Sequence, residues 1–315
     1  MASIKINYKL FLFILLGLVL SAMASVRIFG EDMDFFSYET YYYNIDYDNS
    51  KGYEPIFNFI SSVIKAKGYE FSSFLFIISL ISLVLKFYVF NKFKFSIYSI
   101  LIYFFVFYPL HEMTQIRVAV GLSLVFSAFY FRGLNKQSLS IITILLAIGT
   151  HYSMILFFLF LLFFENFKNL SLAKLFVLIL LPFIIKMFFL PYVELIGNVQ
   201  DHVLNLHDYA PQNILSTRSI LSLGLIFYFT YNFNKVDTNY RVWIYIWVFG
   251  YSFFLAFHSF PIISGRIFEL AFISVVVVPA NYSGKSVYRI MSVIGIISVY
   301  VFIKMVYLDP IFTIK

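Results

Sequence analysis

The chain has no cysteine, which excludes disulfides, thiolate nucleophiles and thiolate metal sites. It is also poor in charge, with 12% Asp, Glu, Lys and Arg in 315 residues. Soluble domains carry about a quarter. No P-loop, GxSxG or HExxH segment occurs, so the sequence gives no sign of nucleotide, serine-hydrolase or zinc-protease chemistry. What remains is apolar: 61% of the chain is hydrophobic and 22% is aromatic. That much apolar surface needs a bilayer to cover it. The sequence therefore predicts an all-α integral membrane protein. Nucleic acid is not an expected partner, because the net charge of +7 reads as membrane topology.

Apolar runs of spanning length occur at 8–29, 71–90, 95–109, 115–131, 172–190, 219–233, 242–257, 267–280 and 290–308. The stretch 138–164 is too long for one helix and short for two. Charge decides how to divide it. As two helices meeting near Thr150–His151, it puts Lys5, Lys9, Lys86, Lys92, Lys94, Arg132, Lys136, Lys168, Lys174, Lys235, Arg241, Lys285 and Arg289 on one side. Only Glu165 and Asp237 of the 16 acids join them. By the positive-inside rule that side is cytoplasmic, which gives about eleven spans, within ten to twelve, with the N-terminus inside. The first run is long enough to span and shows no small-residue cleavage site, so no removable signal is expected. Lys86, Lys186 and Lys304 lie inside apolar runs and are expected to snorkel to a span end.

Two outer loops of substance follow, about 30–70 and 191–218. The first is acidic and Tyr-rich. Its segment Glu54–Lys67 is expected to form an interfacial helix. Its tyrosines are expected to form an aromatic belt, with stacking on sugar rings as the alternative.

Each of the five histidines falls at an outer span end. So do Arg27, Arg117, Arg218 and Arg266. Guanidinium forks bind phosphate oxygens and stay charged in half-dry surroundings. A set of them at one membrane face suits a lipid-linked phosphate or pyrophosphate. The plainer alternative is pairing with nearby acids or head groups. His111, Glu112, Gln115 and Arg117 interrupt two apolar runs, so they should face the bundle or a cavity. His258 precedes Gly265-Arg266. His151, at the expected hairpin tip, is suited to hold a phosphate or take a hydroxyl proton. Asp32 and Glu54 are competing candidates for the base. His202, His207 and Asp208 are the nearest approach to a metal set, with no convincing third partner, and neither metal nor cofactor is expected.

The order of these residues resembles the EpsG family of polysaccharide-synthesis proteins, which includes Wzy-type O-antigen and capsule polymerases. The likeness runs through Arg27-Ile-Phe-Gly30-Glu-Asp32, Tyr53-Glu54-Pro55-Ile-Phe57, Gln115-Ile-Arg117-Val-Ala119, Leu146-Ala147 with His151-x-Ser153, and Gly265-Arg266-Ile267. Ile56 stands where the family has Gly, and Phe36 where it often has Tyr. The resemblance implies a GT-C-like bundle in the bacterial inner membrane. It implies joining of undecaprenyl-pyrophosphate-linked repeat units on the periplasmic face, with a Wzz-type chain-length regulator as a possible partner. Arg117 and Arg266 would hold the donor pyrophosphate, with Arg218 or Arg27 on the acceptor side. His111, Glu112, Gln115 and His258 would support them. A lipid-linked glycan flippase, an O-antigen ligase and a polysaccharide O-acetyltransferase are the rival functions.

Overall fold

The computed structural model describes residues 8–45, 53–193 and 211–312. Among them the chain is helical, and its β-structure is confined to isolated bridges such as Val236 with Tyr282. Five helices are long and apolar enough to cross a membrane: Tyr8–Ser25, Phe71–Phe90, Ile116–Gly133, Pro261–Asn281 and Val287–Leu308. Shorter apolar helices accompany them. The chain divides into two compact units, Phe163–Val287 and the remainder.

In the first unit, α1 (Tyr8–Ser25) packs along α4 (Phe71–Phe90). Helices α2 (Met33–Asn44) and α3 (Pro55–Ala66) lie between them in sequence. Helix α5 (Ser96–His111) contains a π-turn at Tyr103–Phe107. Helix α6 (Ile116–Gly133) packs on α4 and on α7 (Gln137–Thr150). A break at His151 separates α7 from α8 (Tyr152–Leu162). The 138–164 stretch is therefore two helices meeting at Thr150–His151, as its charges require.

Lipid tails are as apolar as leucine, so packing rather than water exclusion holds such helices together. Small residues allow the close approaches. A Cβ on Gly121 would meet Met154 at 2.9 Å, and one on Gly149 would meet Ile56 Cγ1 at 2.4 Å. Hydroxyls buried in the helices bond to backbone carbonyls, as Ser21 to Gly17 at 2.7 Å and Ser140 to Ala128 at 2.8 Å.

The second unit holds α9 (Leu172–Val193), α10 (Thr217–Tyr231), α11 (Val242–Ala256) and α12 (Pro261–Asn281). Helix α11 is apolar on every side and packs against the other three, so it forms the centre. Gly250 admits the Ala271 methyl. Trp247 donates to Ser222 at 2.7 Å, satisfying its buried indole. Helix α13 (Val287–Leu308) returns to the first unit, where Phe302 packs on Phe29 and Phe104.

Two expectations are corrected. Lys86 does not snorkel. It is fully buried on α4, 2.6 Å from Glu112, which also accepts from Ser82 and Tyr103. Four apolar residues separate it from the helix end, and the Glu112 carboxylate takes up the ammonium within the protein. The Tyr-rich run is not simply a belt. It forms α2, whose Tyr38 and Tyr42 are 4% and 1% exposed. Tyr42 donates to the Tyr69 carbonyl and stacks on Phe74.

Candidate active site

Glu54 is the N-cap position of α3, with Pro55 in the first turn. Proline there fixes the helix start without forfeiting a hydrogen bond, which sets the carboxylate rigidly in place. The side chain is 5% exposed. One oxygen, Oε2, accepts from Arg117 Nη1 at 2.7 Å. The other, Oε1, lies 2.7 Å from His151 Nδ1 and accepts from the Tyr152 N–H at 3.2 Å.

The break after α7 creates the second half of this arrangement. His151 is extended, with φ −161° and ψ 118°, and the chain turns at once into a 3₁₀ segment. That interruption frees the Tyr152 N–H from helical bonding and aims both it and the imidazole at Glu54. Arg117 arrives in the first turn of α6. Its guanidinium carbon lies 4.1 Å above the Tyr53 ring, and its Nε donates to the Tyr38 hydroxyl at 3.3 Å. Tyr41 donates to Asn58 at 2.6 Å, and Asn58 in turn donates to the Tyr53 carbonyl at 2.7 Å. These bonds tie α2 to α3 and hold the ring beneath Arg117.

Burial pushes the Glu54 carboxyl up, but the bonds from His151, its own backbone and Arg117 outweigh it and hold the pKa at about 2. Glu54 is a carboxylate at neutral pH and only accepts hydrogen bonds. His151 Nδ1 therefore donates, so that in the neutral ring Nε2 is the nitrogen with a lone pair. The result is a carboxylate–imidazole pair of the kind that positions a general base, with a guanidinium fixed beside it.

The remaining sequence candidates fall elsewhere. Asp32 caps α2, accepting the Phe35 N–H at 2.8 Å. Burial raises its pKa, against that bond and the Arg27 charge. Gly30 N–H bonds Arg27 O at 2.8 Å with φ +109°, a conformation that glycine adopts without strain. The Arg27–Asp32 motif is thus a turn that starts α2. Arg27 itself is 7% exposed and lies 5.0 Å over the Phe35 ring. Burial lowers its pKa to about 10. His111 is buried and stacked on Phe107. Glu112 is bonded to Lys86, as described above. Gln115 is the N-cap position of α6.

In the second unit, Arg218 opens α10, 4.9 and 4.8 Å over Phe268 and Phe272. Arg266 is exposed on α12. His258 Nδ1 lies 3.1 Å from the Leu255 carbonyl, and its own carbonyl accepts from Gln212 N–H at 3.0 Å. His202, His207 and Asp208 lie outside the described residues. Sequence reasoning missed Tyr38 and Tyr53 as the cradle of Arg117. The i, i+3, i+4 spacing of Tyr38, Tyr41 and Tyr42 was the available signal.

No curated protein and no solved structure matches the chain. The EpsG family model matches residues 10–310, nearly the whole length. The chain, a helical membrane protein, belongs to the EpsG family, whose usual role is of the polysaccharide-polymerase type.

Proposed function

We propose that this protein polymerises polysaccharide by glycosyl transfer between lipid-linked oligosaccharides, with undecaprenyl pyrophosphate as the carrier and the periplasmic face of the inner membrane as the place. The observation that carries the reading is Glu54 bonded at once to His151 and Arg117. A polymerase must deprotonate an acceptor hydroxyl and stabilise a leaving pyrophosphate, and this set offers one group for each task.

In this reading His151 Nε2 takes the proton of the acceptor hydroxyl as its oxygen attacks the anomeric carbon of the donor sugar. The bond from that carbon to the pyrophosphate oxygen breaks, and the electron pair leaves with the lipid pyrophosphate. Arg117 offsets the charge that develops there. It is pinned by Glu54 and Tyr38 yet keeps further N–H groups for the ligand, since a guanidinium has five. Glu54 fixes the imidazole tautomer and is a positioning residue rather than the base, both of its oxygens being engaged. Arg266 and Arg218 remain proposed pyrophosphate contacts, and a chain-length regulator a proposed partner.

The test is the surface-polysaccharide ladder of a strain lacking the gene. Collapse to a single repeat unit, restored by wild type but not by Arg117→Ala, supports polymerisation. A ladder unchanged by deletion refutes it. One observation favours a second reading, transport of the lipid-linked glycan: the Lys86–Glu112 pair lies inside the bundle, where transporters keep ionisable groups. Loss of even the single repeat unit on deletion would favour that reading.

A further inference from the structure

Helix α2 has two working sides. Tyr38 and Tyr41 face the Glu54 set, through Arg117 and Asn58. Phe35, Glu39 and Tyr43, spaced four apart, line a separate cavity of about 370 Å³. The end of α1 with Arg27, the turn with Glu31, and the start of α4 with Glu70, Phe71 and Leu75 complete it. That volume falls within the range of small-molecule sites, roughly 300–1,000 Å³.

The lining has an unusual combination of groups. Three carboxylates, Glu31, Glu39 and Glu70, belong to it. Tyr43 donates to Glu70 at 3.4 Å. Against them stands one guanidinium, Arg27, more than nine-tenths buried. All three of its nitrogens are buried without a hydrogen-bond partner among the described residues. Leaving such a donor unmatched is costly, and burial already holds its pKa down at about 10. The rest is apolar: Phe35, Phe71 and Leu75 are 9%, 4% and 3% exposed, with the two rings 5.3 Å apart.

We propose that this cavity binds a neutral sugar unit of a glycan. Ionised carboxylates only accept hydrogen bonds, and a guanidinium only donates. A ligand that matches both must donate and accept from one small frame, and a sugar's hydroxyls do so. The phenyl rings and Leu75 suit the C–H face of the sugar ring. A phosphate offers acceptors, and a uronate adds a carboxylate to its hydroxyls, so either meets Arg27 at the expense of repulsion from three carboxylates. The pyrophosphate expected of Arg27 from sequence thus fits this lining less well than a sugar does. Tyr38, which is bonded to Arg117, lies on the same helix as Phe35, Glu39 and Tyr43, which would place a bound sugar near the transfer centre as part of the acceptor or donor chain. That last placement rests on the polymerase reading, whereas the binding itself does not.

The experiment is saturation-transfer NMR on the full-length protein in detergent micelles. The probes are the methyl glycosides of glucose, galactose, mannose and N-acetylglucosamine, with glucuronate and inorganic pyrophosphate as acidic counterparts. The expected result is saturation of at least one neutral glycoside and neither acid. The signal is lost in Leu75→Trp, which fills the cavity, and in Glu39→Gln, a milder change at a half-buried position. It is kept in His151→Ala. No transfer to any neutral glycoside, transfer surviving in both cavity variants, or displacement by pyrophosphate overturns the proposal. Sugar binding by a protein that fails to elongate glycan would refute the polymerase reading and leave this site standing; elongation without binding would do the reverse.

Discussion

Replacing Glu54 with Gln tests the Glu54–His151–Arg117 arrangement with one atom changed. The carboxylate accepts from Arg117 and the Tyr152 N–H and bonds the His151 ring. An amide keeps the shape but turns an NH₂ toward one partner and removes the charge that all three groups favour. The Glu54 pKa falls from an ordinary 4.5 to about 2. At about 1.4 kcal/mol per unit, discounted for residual solvent, the lost stabilisation is about 2–3 kcal/mol. For catalysis the loss is larger, because the imidazole loses its fixed tautomer; general-base contributions are roughly 10²–10⁴-fold. The assays are thermal unfolding of purified protein and elongation of lipid-linked repeat units. A lower melting temperature with elongation reduced at least 100-fold is expected, on the general-base range above. Glu54→Asp, shorter by one methylene, should retain one partner and fall between. Wild-type melting and wild-type elongation in Glu54→Gln would refute the reasoning. The same shift fixes a pH dependence. A depressed carboxylate pKa stabilises the fold above the unfolded value, so this contribution is complete above pH 4.5 and is lost as pH falls toward about 2. Glu54→Gln should flatten acid unfolding across that window.

Arg117→Lys should elongate poorly and Arg117→Ala not at all, because a point charge cannot hold Glu54, Tyr38 and a phosphate in the guanidinium's plane; full activity of the lysine variant would contradict this. Gly149→Ala puts a methyl 2.4 Å from Ile56 Cγ1, close to the α3 backbone, so it should displace Glu54 and cost about 1–3 kcal/mol. Ile56→Ala in the same chain should restore elongation, measured as ladder length. Lys86→Met strands a buried Glu112 carboxylate and should destabilise by about 3–5 kcal/mol. Adding Glu112→Gln should recover most of the melting temperature.

The helices of the bundle were legible because their apolar runs are continuous and their charges segregate. The break at His151 was visible for the same reason, since a single helix there would have inverted every later loop. Helix α2 was not foreseen. Its run Met33–Asn44 is too polar to read as a span, and the decisive signal, Asp32 capping Phe35, is one short side-chain bond. The Lys86–Glu112 pair joins residues 26 apart on different helices, which periodicity does not report. Lys86 therefore read as a snorkelling cation. At the candidate site, Glu54, Arg117 and His151 were each named from chemistry. Their convergence depends on the packing of α3 and α7, where Gly149 makes room for Ile56.

The most direct test supplies purified protein with undecaprenyl-pyrophosphate-linked repeat units and compares wild type with His151→Ala. Products of two or more units from wild type, and none from a His151→Ala protein of unchanged fold, are the predicted result. Equal elongation by both would show that the Glu54-held imidazole is not the base.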